Sequence, residues 1–162
     1  MRAAWLVLLA VLALGGCSAE VTGAPAKDDS PTVSAVALAV PIEMRPVIDS
    51  GGTTVKDPHT GETLHVDDPM MTVERLDGAE IGIDKSGSGG WLLTIHLNDK
   101  DSKTFEDWTR DHTGERLAVL IDDEVIIAPT IEQAIAGGDI QISGNFTRKD
   151  VEALLNKITG RG

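Results

Sequence analysis

Cys17 is the only cysteine among 162 residues, and it stands directly behind a short apolar run. With a single thiol there is no internal disulfide, so the fold must be held by packing and hydrogen bonds alone. No CxxC motif or Cys/His metal cluster can be written. The position of the cysteine carries a second message. Arg2 precedes the apolar stretch Ala3–Leu14, and Leu14-Gly15-Gly16-Cys17 has the form of a bacterial lipobox, with a leucine, two small residues and a cysteine. Small residues suit a segment held extended in a narrow peptidase groove, and the thiol is the nucleophile that receives diacylglycerol. About 12 apolar residues are too few for a spanning helix, which needs roughly 20. Residues 1–16 therefore read as a lipoprotein signal peptide. Cys17 is the expected lipid attachment site, carrying palmitate-type acyl chains. The expected location is the extracytoplasmic face of the cell membrane.

Once Arg2 leaves with the signal, 13 basic residues face 26 acidic ones. That balance argues against nucleic acid, whose phosphates demand basic surface. It also argues against a domain lying flat on an anionic bilayer. Attachment is expected through the lipid anchor alone. Residues 17–32, with Ser18–Thr32 reading SAEVTGAPAKDDSPT, are small, polar and proline-containing, and offer almost nothing to bury. They read as a flexible tether with a typical span of about 20 Å. Residues 33–162 are long enough for one core.

Within that domain the pattern gives a strand across Ile42–Ile48 and a long exposed loop over Asp49–Asp68. A short helix or turn is expected at Pro69–Leu76. Ala79–Asp84 and Trp91–Leu97 form a hairpin around the glycine-rich Lys85–Gly90. Asn98 caps a helix over about 99–112, with Asp99 and Asp101 at its positive end. Strands Arg116–Ile121 and Glu124–Ala128 flank a two-residue turn at Asp122-Asp123. A helical turn at Ile131–Ala136 and a strand at Ile140–Ser143 follow. Thr147 then opens a helix with Asp150 as capping-box partner, and Val151, Leu154, Leu155 and Ile158 form one apolar stripe that Gly160 ends. The connections are too short for a large parallel sheet. The expected fold is α+β, a mixed or antiparallel sheet with helices on one face, of ferredoxin-like kind.

From Trp91 to Ile158 the sequence resembles the head of the first periplasmic domain of SecD and SecDF, the accessory subunit of the bacterial protein translocase. Leu97-Asn98-Asp99, Phe105 and Gly114-Glu115-Arg116-Leu117-Ala118-Val119 carry the likeness. It continues through Asp122, Val125-Ile126, Ala128-Pro129, Ile135, Gly137-Gly138 and Gln141-Ile142-Ser143-Gly144-Asn145-Phe146-Thr147. Met44-Arg45-Pro46-Val47 looks like the Arg-Pro-Val strand near the start of that head. The resemblance thins over residues 35–90. It departs at the hairpin, where Asp123 replaces the family's usual glycine. The family's six transmembrane helices, whose ionisable residues couple proton flow to export, have no counterpart in these residues. The motor activity is not carried over. The resemblance implies a contact surface for polypeptide or for a membrane protein partner such as the translocon. The same motifs also serve a second expectation, a binding or structural module of the envelope unrelated to export.

No catalytic residues, metal site or cofactor is expected. His59, His65, Asp67 and Asp68 share a polar stretch but match no metal-ligand spacing. Asp99/Asp101 and Asp122/Asp123/Glu124 suit a helix cap and a hairpin turn. With no tyrosine and 3% aromatic residues, a sugar-cleaving cleft has nothing to stack substrate on. A hydrolase remains the least favoured reading. Trp91 and Trp108 are the candidate binding residues. Packed together they belong to the core, whereas exposed on one side they make an apolar platform for extended polypeptide.

Overall fold

The computed structural model describes residues 32–85 and 89–161. The expected signal peptide (1–16), the expected lipid site Cys17 and all of the expected tether (17–32) except Thr32 lie outside the described residues. A 17-residue strand, β1 (Thr32–Ile48), forms the spine. In its first half, Thr32–Ala37 run alongside β4 (Met71–Ile83). Its second half pairs with both β4 and β6 (Leu117–Ile121). The register shifts between Ala37 and Ile42, around Pro41, which has no N–H to give a ladder. Beyond β4 lie β5 (Trp91–Leu97) and β8 (Asp139–Phe146). Beyond β6 lies β7 (Glu124–Ile127). A small hairpin, β2 (Thr53–Lys56) and β3 (Thr63–Val66), joins the end of β1 at Val47 and Ile48. Every strand pair is antiparallel.

Two helices cover one face. In α1 (Asp99–Asp111) the Asn98 side chain accepts the Asp101 N–H at 3.1 Å, which satisfies one of the free donors of the first turn. In α2 (Arg148–Thr159) Thr147 and Asp150 form a reciprocal capping box, and Gly160 ends the helix at φ 68°. Phe105 from α1 and Val151, Leu155 and Ile158 from α2 enter a single cluster with Ile42, Met44, Val73, Leu93, Ile95 and Ile142. The opposite face of β6 carries Ala118 and Leu120, which meet Leu64 and Val66 of β3 in a second, smaller cluster.

The antiparallel α+β sheet, the 79–97 hairpin, both helices and the Asp122-Asp123 turn stand where the sequence places them. Four expectations need correction. Asp49–Asp68 is not one long loop, because Val55, Leu64 and Val66 give β2 and β3 an apolar face to lay on β6. Pro69–Leu76 is not a helix or turn but the opening of β4, with Met71, Val73 and Leu76 buried. Ile131–Ala136 forms no helical turn, since the Ile135 N–H is taken by the Thr109 hydroxyl at 3.0 Å. Finally, the order is five strands, a helix, three strands and a helix, which is not the β-α-β-β-α-β alternation of a ferredoxin-like unit.

Candidate functional site

Among the described residues, β7 and β8 are outer strands of the main sheet, each paired on one side only. On its inner side, the extended continuation of β7 keeps bonding toward β6. The Leu117 N–H donates to the Pro129 carbonyl at 3.0 Å, and the Ile131 N–H donates to the Glu115 carbonyl at 2.8 Å. The chain then crosses beside α1 and returns as β8. The outer edges of β7 and β8 thus come to face each other with no ladder between them among the described residues.

Between them runs a groove. One cavity of about 520 Å³ is lined by Ile126, Ile127 and Pro129 on the β7 side and by Gln141, Gly144 and Phe146 on the β8 side. A second, of about 420 Å³, shares Ile127, Pro129 and Gln141 and continues inward to Phe105 and Val119. The floor is apolar, and the walls are two strand edges with backbone groups that have no ladder partner among the described residues. That combination can hold an extended chain by its backbone and seat alternate side chains in sockets.

The turn between β2 and β3 forms one rim through Asp57, His59 and Thr60. Asp57 is buried, and its carboxylate accepts the N–H of His59 at 2.8 Å and of Thr60 at 3.3 Å. Burial pushes its pKa up, but the hydrogen bonds from His59 and Thr60 outweigh it and hold the carboxyl below its ordinary value. The His59 ring meets Phe146 edge-on, with centroids 5.3 Å apart. Arg116 reaches the rim from the start of β6 and holds Glu62 through two hydrogen bonds of 2.9 and 3.1 Å. The β2–β3 hairpin is thereby tied to the sheet beside the groove.

The tryptophans lie elsewhere. Trp91 is opposite Phe146 in the β5–β8 register, and the Arg148 guanidinium sits 5.2 Å from its ring centroid. Trp108 stacks on His112 at 4.0 Å. Both are half-buried against the main core and neither lines the two cavities. The two rings engage different partners. His65 lies on β3 near Thr54, whereas His59 faces Phe146, so the two histidines engage different partners. Among the described residues no three His, Cys, Asp or Glu side chains gather as metal ligands. His96 meets Asp139 at 2.7 Å across β5 and β8. Asp122 and Asp123, at φ 58° and 60°, form the left-handed hairpin turn.

Residues 52–160 match the family described as SecDF, P1 head subdomain. The chain belongs to that family. The SecD protein translocase subunit of Calditerrivibrio nitroreducens is 36% identical over 87 residues, covering 54% of this chain and 17% of that protein. Its counterpart in Streptomyces coelicolor is 32% identical over 89 residues, covering 52% and 16%. That of Rhodobacter capsulatus is 32% identical over 107 residues, covering 65% and 19%. The chain therefore spans less than a fifth of the length of these SecD proteins. A structure of SecDF, described as a membrane component that enhances protein export, superposes with a TM-score of 0.57 at 24% identity, covering 75% of this chain and 63% of that one. A SecDF structure from Thermus gives 0.52 at the same identity, covering 74% and 19%. These superpositions establish the shared fold. Among the described residues no helix is long and apolar enough to cross a membrane.

The groove residues were visible in the sequence only as fold determinants. Pro129 reads as a strand end, and Gly144-Asn145-Phe146 as a turn and core plug. Their role depends on β7 and β8 both being outer strands, a non-local fact. The available signal was that β7 is short and that Pro129 cannot donate a backbone hydrogen bond, which suits an edge.

Proposed function

We propose that this protein is a lipid-anchored, non-enzymatic component of the cell envelope that holds extended polypeptide in the groove between β7 and β8 in the course of protein export. The observation that carries this reading is the pair of outer strands facing one another over an apolar floor. A segment lying in the groove completes a backbone ladder on at least one wall. Such pairing is indifferent to side-chain sequence, as a general export partner requires. Ile126, Ile127 and Phe146 receive whichever apolar side chains point inward. The lipid on Cys17 and a tether of about 20 Å keep the groove close to the outer face of the membrane, where exported chains emerge. The partner is a nascent exported chain or an extended segment of a translocon subunit. Family membership supports the link to export.

The test is photo-cross-linking in living cells from Ile127 and Gln141. Recovery of exported chains or translocon subunits is expected, and it should be lost when Cys17→Ala removes the anchor. Recovery of neither, with normal secretion on depletion, overturns the export reading in favour of an unrelated envelope module.

A further inference from the structure

The corner of the sheet where β4 ends and β5 begins differs in character from the rest of the surface. Ile83, the last residue of β4, is 56% exposed, and among the described residues it is the one large apolar side chain left so open. It continues the face of Ala79 and Ile81 one step beyond the core and lies opposite Trp91 in the β4–β5 register. Trp91 is half-buried, with the Arg148 guanidinium 5.2 Å from its ring centroid and Glu152 holding that guanidinium at 2.7 Å. Lys85 follows Ile83 by two residues, and Lys149 follows Arg148. Both lysines are exposed, and neither is in an ion pair among the described residues. The acids nearby in the chain are engaged or turned away. Asp84 is buried, Asp150 caps α2, Glu152 holds Arg148, and Glu80 lies on the opposite face of β4 from Ile83.

The chain enters the described fold at the same corner. Thr32 opens β1 opposite Glu80, three residues short of Ile83, so Thr32 and Ile83 lie about 10 Å apart. Because β1 and β4 are antiparallel, β1 begins at the end where β4 finishes. Ile48, at the other end of the 17-residue β1, is about 50 Å away along the strand. A tether of about 20 Å from Cys17 to Thr32 therefore brings the Ile83 corner to a lipid surface before the far end of β1. The acidity of the chain, with formal charge −12, opposes broad contact with phosphate headgroups. This corner, with its acids engaged and its lysines outside any ion pair, is the exception.

We infer that this corner rests on the phospholipid surface, with Ile83 and the Trp91 ring at the boundary between headgroups and acyl chains. Lys85, Arg148 and Lys149 then meet the lipid phosphates while their stems lie along the apolar layer. Two apolar side chains make a weak contact for a free domain. An anchor in the same bilayer makes it persistent by raising the effective concentration. Phe146 faces Trp91 in the β5–β8 register, so the Phe146 end of the groove opens beside the membrane. The inference rests on the lipid-anchored reading and not on what the groove holds.

The experiment uses the full chain in vesicles prepared from its own membrane lipids. A maleimide fluorophore is placed on Ile83→Cys or, as the control, on Asp49→Cys just beyond the far end of β1. A phospholipid carrying a nitroxide on its headgroup quenches whichever probe touches the surface. The parent chain reports the anchor. A Cys17 that takes no maleimide, in a chain that stays with the vesicles, supports it. A reactive Cys17 in a soluble chain removes the anchor and this inference with it. With the anchor intact, quenching at position 83 should be several-fold stronger than at position 49. Lys85→Glu with Lys149→Glu should remove most of that difference, and Lys85→Arg with Lys149→Arg should keep it. Equal quenching at both positions, or quenching at position 83 that ignores the charge reversal, would overturn the inference and leave the anchor standing. A photo-reactive group at position 83 should label phospholipid in living cells, and adducts to protein alone would overturn it as well.

Discussion

The two hairpins beside the groove are built on opposite principles. In β6–β7 the hydrophobic pattern does the work, since Leu117 to Ile121 are all buried and the turn is two residues long. In β2–β3 the strands are short and largely exposed, with only Leu64 and Val66 giving it a firm hold on the core. Its shape comes from polar contacts: a buried carboxylate inside the turn and an ion pair to Arg116. The apolar hairpin supplies a rigid wall, and the polar one supplies a rim that local changes can loosen.

Substitutions should separate the two. Leu120→Ala removes a side chain that is 1% exposed between the hairpins and should destabilise the whole domain by about 2–5 kcal/mol in urea denaturation. Asp57→Ala leaves two N–H groups of the turn without their acceptor and should cost about 1–3 kcal/mol. Hydrogen exchange should place that loss in residues 53–66 before the rest. Acid should act in the same direction. Asp57 and Asp150 are both held below their ordinary values, Asp150 by the Thr147 N–H and hydroxyl. Their contribution is therefore present above about pH 4 and disappears as pH falls through the depressed values. A urea midpoint that falls between pH 5 and pH 2, and falls less in Asp57→Asn, is the expected result.

Smaller effects sharpen the contrast. Asp123→Gly should stabilise the β6–β7 turn by under about 1 kcal/mol, because glycine accepts φ 60° without a Cβ clash. Thermal melting would check it. Glu62→Gln should cost about 0.2–1 kcal/mol and lose its effect in high salt, because the Arg116 pair is partly exposed.

The same contrast explains what was legible in the sequence. The β6–β7 hairpin, the capped helices and the α2 stripe follow from local period and cap chemistry, and all were readable. The start of β4 is hard to read because the alternation of Met71 and Val73 slips by one residue at Leu76. The irregularity at Leu76–Gly78 interrupts the alternation. β2 and β3 were hidden by glycines, histidines and acids, although the alternation Leu64-His65-Val66 was present. Ile131 and Ile135 have helical spacing, yet Thr109, 26 positions before Ile135, takes the backbone donor. The groove was the least legible part, since no local signal says which strands end a sheet.

Hydrogen exchange on the full chain, with and without an unfolded exported polypeptide, tests the central claim most directly. Amides along the outer edges of Glu124–Ile127 and Asp139–Phe146 should slow when the polypeptide is added. Unchanged exchange at both edges, with slowing confined to other parts of the molecule, would contradict it.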